Sequence, residues 1–343
     1  MQNINKKEIV TAPNLMAALI SGFDSVTNHV YLLLFPLAFD LFLWLGPRLR
    51  LHDLIINTIN QVETLQKQDK LYSSPDMVEM MRVTKEIWGI IAERANMFSS
   101  MRTYPVGVPS IMVGRLPLLS PLGNPSGIEL NFGSFFLSWT LLIAIGLLLG
   151  TCYFALTAQA TLKEERSIIE AIKDLPRAFM QVIWLTLFLT LILIVIGIPV
   201  SILFSTILIV GGSFGVWIVF ALSGLLLWGL LPLIFSPHGI FVDNLKMLNS
   251  FLHGLRLAHG NLPKTGLFIL LAFVISQGMD VLWQTPPEES WLSLIGIFGH
   301  AFISTGLLAA SFVYYKQAEK WLQAIIQQRQ ATLAQQTSTN IKA

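Results

Sequence analysis

Charge is what this sequence has least of. Asp, Glu, Lys and Arg make up 12% of its 343 residues, about half of the roughly 25% found in soluble domains. Apolar residues account for 54%, and several apolar runs are long enough to cross a bilayer, so the chain reads as a polytopic membrane protein. Cysteine is almost absent. The single Cys152 lies inside an apolar run, which excludes an intrachain disulfide and suits a small packing residue. The net charge of +2 is too small for a nucleic-acid-binding role.

Targeting and catalytic motifs are also missing. Lys6 and Lys7 precede a mixed polar stretch and no small-residue cleavage site follows, so no cleavable signal is expected. Gln2 and the final NIKA carry no lipidation motif. There is no nucleophile elbow, HExxH pair or kinase signature. The GGSFG run at 211–215 lacks the Lys-Ser/Thr of a phosphate loop and reads as a turn. His238, His253 and His259 do not share one helical face, so no metal site is expected. No cofactor and no catalytic residue are expected, and the chain is read as a non-enzyme.

What is present is an alternation of amphipathic and wholly apolar segments. Leu15, Leu19, Ile20, Phe23 and Val26 recur at helical spacing behind the cap candidate Asn14, which predicts a helix along the membrane surface. Val30–Leu45 follows as the first span, closing a segment 1–45. Residues 46–133 form an insertion without a span. Two helices are expected there, one carrying Leu51, Leu54, Ile55, Ile59, Val62 and Leu65, the other Val78, Met81, Ile87, Trp88, Ile91 and Met97. Ser73-Ser74-Pro75-Asp76 supplies their break and cap. Five prolines between 104 and 133 predict a stretch without regular structure.

The region 134–315 holds the remaining spans. Phe135–Leu156 is the second. Interfacial helices are expected near 166–178 and 244–258, each leading into apolar sequence. Met180–Phe235 carries no charge and suits either two or three crossings. The last two spans fall at about 266–283 and 291–314, and the tail 316–343 starts as a helix and ends disordered.

Basic residues resolve the crossing count. If the interfacial helices and both termini share one side, that side holds 13 Lys and Arg, and the short loops at 211–215 and 284–290 hold none. Such asymmetry marks the cytoplasmic side and demands two crossings between 179 and 236. The expected fold is all-α: a polytopic membrane protein with six transmembrane helices in three interfacial-helix-plus-hairpin units and a helical extracytoplasmic insertion. It would be multi-pass in the plasma (inner) membrane with both termini cytoplasmic. The nine other basic residues fall in 46–133, an exception allowed because long loops escape the charge rule. Arg48 and Arg50, just outside the first span, fit it least.

The stretch 233–273 resembles the membrane domain attached to some bacterial glycerophosphodiester phosphodiesterases and related small bacterial membrane proteins. In that pattern a span ends in Pro, followed by aliphatics, an acidic residue, a helix with a central Ser, a basic residue and an Asn. Here these are Pro237, Ile240, Val242-Asp243, Ser250, Arg256 and Asn261. The usual Ala before the Ser is Asn249, the insertion lies outside the pattern, and the catalytic phosphodiesterase domain has no counterpart. The resemblance implies a membrane-embedded helical domain and carries over no catalytic residue.

Asp40, Asp280 and His300 are ionisable and sit at membrane depth, in the outer half by rise per residue. Buried charge in lipid costs about 2.5–3.5 kcal/mol on insertion scales, which makes them candidates for a proton- or cation-coupled path. The plainer alternative has Asp280 at the interface, Asp40 bonded to backbone or Trp44, and His300 neutral between helices. Gly146 and Gly150 form a GxxxG step suited to close packing inside the monomer, and Gly296 and Gly299 suit a similar role. Asp24, Asn28, Arg256 and Asn261 fall at the cytoplasmic interface as candidate lipid contacts. The expected function is a membrane scaffold or accessory protein contacting membrane lipids, with protein partners reached through 46–133. The alternative is a small-solute or ion permease using Asp40, Asp280 and His300.

Overall fold

A computed structural model describes residues 12–67, 75–162 and 168–342. Lys6, Lys7, Lys163, Arg166 and the Ser73-Ser74 cap lie outside the described residues. Among the described residues the chain is almost wholly helical, with one two-stranded pair. Its helices are α1 (Leu15–Asn28), α2 (Leu34–Leu45), α3 (His52–Lys67), α4 (Pro75–Arg94), α5 (Met112–Arg115), α6 (Phe132–Leu162), α7 (Ile168–Leu230), α8 (His238–Val242), α9 (Met247–Gly260), α10 (Leu262–Trp283) and α11 (Ser293–Lys342). Strands β1 (Arg48–Arg50) and β2 (Gly127–Glu129) pair in parallel. Four helical stretches are long and apolar enough to cross a membrane, namely α6, Ile172–Val242, α10 and Ser293–Leu333; α1 with Val30–Leu45 makes a fifth if the bent pair is one span.

The chain divides into two compact units, one of Met1–His29, Phe154–Ile275 and Thr305–Ala343, the other of Val30–Tyr153 and Ser276–Ser304. In the first unit Asn14 caps α1 as its sequence suggests, its side chain accepting from the Ala17 amide at 3.1 Å. The apolar face of α1 is used inside the protein. Gly22 meets the Ala310 backbone, where a Cβ would come within 2.4 Å, and the Phe23 ring lies over Gly306. Beyond Asn28 the helix stops at His29, whose backbone (φ −132, ψ 60) is not helical.

From Ile168 the 166–178 segment is continuous with the helix that follows it, α7 running through Pro176 and Pro199 without leaving helical geometry. A proline costs a helix one backbone hydrogen bond, and apolar packing on both sides lets the helix continue. Buried Ala178, Val182, Leu185 and Leu189 supply that packing here. The one non-helical residue in α7 is Gly212 (φ 52, ψ −136), a backbone region that only glycine enters freely. The chain reverses there. Eight residues of straight helix span about 12 Å, yet a Cβ on Gly215 would lie 2.4 Å from the Ile207 carbonyl oxygen. Arg177, early in α7, accordingly donates to the Asn244 carbonyl at 2.8 Å. The tail also differs: helix continues through Lys342 instead of ending in disorder.

In the second unit, the two helices read from the periodicity are α3 and α4, which pack together as a hairpin. The strand pair was not read from that periodicity. The 104–133 stretch does lack long elements, holding only the one-turn α5 and β2.

Candidate functional site

Asp40 sits in the middle of α2 and is fully buried. Its carboxylate accepts from the Ser110 hydroxyl, the Met112 amide at 3.1 Å and the Ile111 amide at 3.3 Å. Trp44 is not its partner; that indole donates to the Glu288 carbonyl at 2.9 Å. Asp40 therefore supplies, from another helix, the acceptor that the first turn of α5 needs.

The segment so held is not peripheral. Met97, Val106, Val108, Ser110, Ile111 and Met112 are each at most 5% exposed. Gly146 and Gly150 explain how it gets in. A Cβ on Gly146 would lie 2.2 Å from the Met101 carbonyl, and one on Gly150 would lie 2.7 Å from the Gly107 Cα. The small-residue step thus packs inside the monomer, but against irregular backbone and not against a helix. Those glycines stand about 21 and 27 Å along α6 from Phe132, at 1.5 Å per residue. Irregular backbone at such depth is tolerated when protein surrounds it, and the helices of this unit do.

His300 and Asp280 meet directly. The imidazole Nδ1 lies 2.7 Å from Asp280 Oδ1, with the histidine side chain 6% exposed and the aspartate 19%. Two of the three ionisable residues, Asp280 and His300, are therefore paired, while the hydrogen-bond partners of Asp40 are Ser110, Ile111 and Met112. Nε2 of His300 is buried without a hydrogen-bond partner. Asp280 is the more exposed member of the pair. Gly296 and Gly299 beside this pair accept the Trp283 backbone and indole against them.

Basic residues stitch the irregular segment to the 284–292 loop. Glu288 accepts from Arg94 at 3.4 Å and from the Leu118 amide at 2.7 Å. Arg115 donates to the Pro286 carbonyl and to Ser293 Oγ at 3.2 Å. Arg48 is 2% exposed and donates to the Pro117 carbonyl. Burial, then the charge of Arg50, pulls its pKa below the usual arginine value, Glu288 opposing and Arg94 adding to the fall. Arg48, Arg94 and Arg115 are thus held by carbonyls and one carboxylate, whereas Nε of Arg50 is buried without a hydrogen-bond partner.

In the other unit, the residues of the 233–273 pattern make a junction. Ile240 is fully buried and Ser250 donates to the Ser236 carbonyl at 2.6 Å. Asp243 accepts from Lys316 at 3.0 Å and from Tyr315 at 3.3 Å, and the Tyr315 hydroxyl meets His253 Nδ1 at 2.7 Å. His238 Nε2 meets Ser311 at 2.8 Å. This polar junction was missed in the sequence, although Tyr315-Lys316 directly after the last span was its signal. Asp24, Asn28 and Arg256 are exposed and Asn261 is half-buried. Among the described residues, no three His, Cys, Asp or Glu side chains gather as a metal would need.

Comparison with protein-family models, curated proteins and solved structures finds no match.

Proposed function

We propose that the chain is a six-span protein of the plasma (inner) membrane with both termini in the cytoplasm, acting as a scaffold or accessory protein and not as an enzyme. The chain reversal at Gly212 supports two crossings between 179 and 236, as does the excess of Lys and Arg on one side. The insertion 46–133 then lies outside, with Arg94 paired to Glu288 and Arg48 and Arg115 donating to carbonyls.

The observation that carries the scaffold reading is the α3–α4 hairpin. It exposes Val62, Val78, Ile87 and Trp88 and encloses an apolar groove of about 790 Å³ lined by Leu54, Ile59, Val62, Met81 and Trp88. An exposed apolar surface of this kind marks an interaction site. Asp40, by contrast, is consumed as a clamp for the 110–112 backbone. Lipid contact is assigned to the exposed Asp24, Asn28 and Arg256 and the half-buried Asn261. The family resemblance of the 233–273 stretch fits a membrane domain without catalysis, since its Asp243 and Ser250 close contacts inside the protein.

A permease using Asp40, Asp280 and His300 is the second reading, favoured by the part-buried Asp280–His300 pair and by the Nε2 of His300, which is buried without a hydrogen-bond partner. Reconstitution separates the two. The scaffold reading expects proteoliposomes carrying a pH or cation gradient to leak no faster than empty ones, before and after His300→Gln. A flux that His300→Gln abolishes would establish the permease.

A further inference from the structure

The apolar surface of helix α4 is wide. Val78, Met80, Met81 and Trp88 line the groove shared with α3. Met80 also begins a second row with Val83, Ile87 and Ile90, which leads about 160° around the helix at 100° per residue, and these four are 56, 40, 51 and 53% exposed. Their 3-4-3 spacing is that of the a/d seam of a coiled coil.

The flanks of this seam are unequal. On one side stand Glu79, Glu86 and Glu93, one per heptad in the g position, and on the other Thr84 and Ile91. The Glu79 and Glu86 side chains are 60% and 64% exposed. Arg82 bridges both at 2.7 and 3.6 Å, which leaves an acidic excess of two along the row when Glu93 is included. That row repels an antiparallel second copy, where glutamate would face glutamate, and it repels an anionic lipid surface. It attracts a helix whose own seam is flanked by Lys or Arg.

We infer that the Met80–Ile90 stripe of α4 docks an amphipathic helix of a partner protein that carries basic residues beside its apolar seam. This rests on the scaffold reading and names the chemistry of its partner. The seam spans three turns, so binding is weak and exchangeable and depends on charge.

The test uses the full-length protein in nanodiscs of neutral lipid and two synthetic helical peptides about three heptads long. Both carry Leu at every seam position, one flanked by Lys and the other by Glu. The Lys peptide is expected to bind at least about tenfold more tightly than the Glu peptide, a difference that shrinks with added salt. Ile87→Glu should remove binding; the site is half exposed, so folding is not at risk. Glu79→Lys with Glu86→Lys and Glu93→Lys should invert the preference. Equal binding of the two peptides, or binding that survives Ile87→Glu, overturns the proposal. So does an intermolecular disulfide formed by Ile87→Cys, which would assign the stripe to a second copy, or quenching of a label on that cysteine by brominated lipid. None of these outcomes bears on proton or cation flux, so failure here leaves the scaffold reading standing, and a His300-dependent flux would remove that reading alone.

Discussion

The two halves of the 46–133 insertion attach to the protein in opposite ways. The α3–α4 hairpin is regular, periodic and exposed, its internal contacts including one Lys85–Glu63 pair at 2.8 Å and the apolar lining of a groove. The half from 97 to 118 has almost no regular structure, yet it is buried, held by Asp40 and Glu288, and seated on Gly146 and Gly150. Regularity and anchorage are therefore separate properties. A helix satisfies its own backbone and can stand away from the bundle. Irregular backbone cannot, so at membrane depth it must be met donor by donor.

The sharpest way to break this contrast is Asp40→Ala. It strands the Ser110 hydroxyl and the Ile111 and Met112 amides in a dry site, and each stranded group costs about 1–3 kcal/mol. A loss on the order of 3–5 kcal/mol is expected, read as a lower thermal midpoint in detergent and new proteolytic cleavage between 97 and 118. Asp40→Asn retains an acceptor oxygen and should lose less. If Asp40→Ala left both readouts unchanged, the clamp would be disproved.

Gly150→Ala comes next. Its Cβ would lie 2.7 Å from the Gly107 Cα, so the segment must shift, at about 1–3 kcal/mol for overpacking. Gly197 in α7 has open space around it, and Gly197→Ala should instead be neutral or slightly stabilising. Comparing the two by thermal shift separates close packing from helix propensity. Glu288→Gln should follow, keeping the Leu118 acceptor but weakening the part-exposed Arg94 pair, with a loss of about 1 kcal/mol or less.

Where the sequence was readable depended on whether a pattern was local. Asn14 as a cap, the two hairpin helices, α9 and the reversal at 211–215 all rest on neighbours within a few residues, and periodicity or glycine reports those. The Pro-rich stretch was read as lacking regular structure, which is right about its backbone. Its burial depends on Asp40, some 70 residues away from Ser110, and on glycines in α6 whose partner no spacing names. The same limit hid the polar junction of Asp243, His253 and Tyr315, because Tyr315 lies 62 residues from His253. The start of the span near Met180 was not legible either, because α7 continues as one helix from Ile168 through Pro176. Of the candidate residues, which of Asp40, Asp280 and His300 would meet was open in the sequence, since rise per residue gives depth but not which face of each helix looks inward.

The smallest effect belongs to the hairpin. Lys85→Ala removes the pair with Glu63, whose side chains are 49% and 29% exposed. Pairs of this kind contribute at most about 0.5 kcal/mol once solvent screening and side-chain ordering are counted. The thermal midpoint should therefore not move, and proteolysis at 97–118 should match the wild type, because nothing in that segment leans on Lys85. A cooperative loss of stability in this variant would mean that the hairpin is clamped to the bundle as firmly as the irregular half, and the contrast between them would fail at its weaker side.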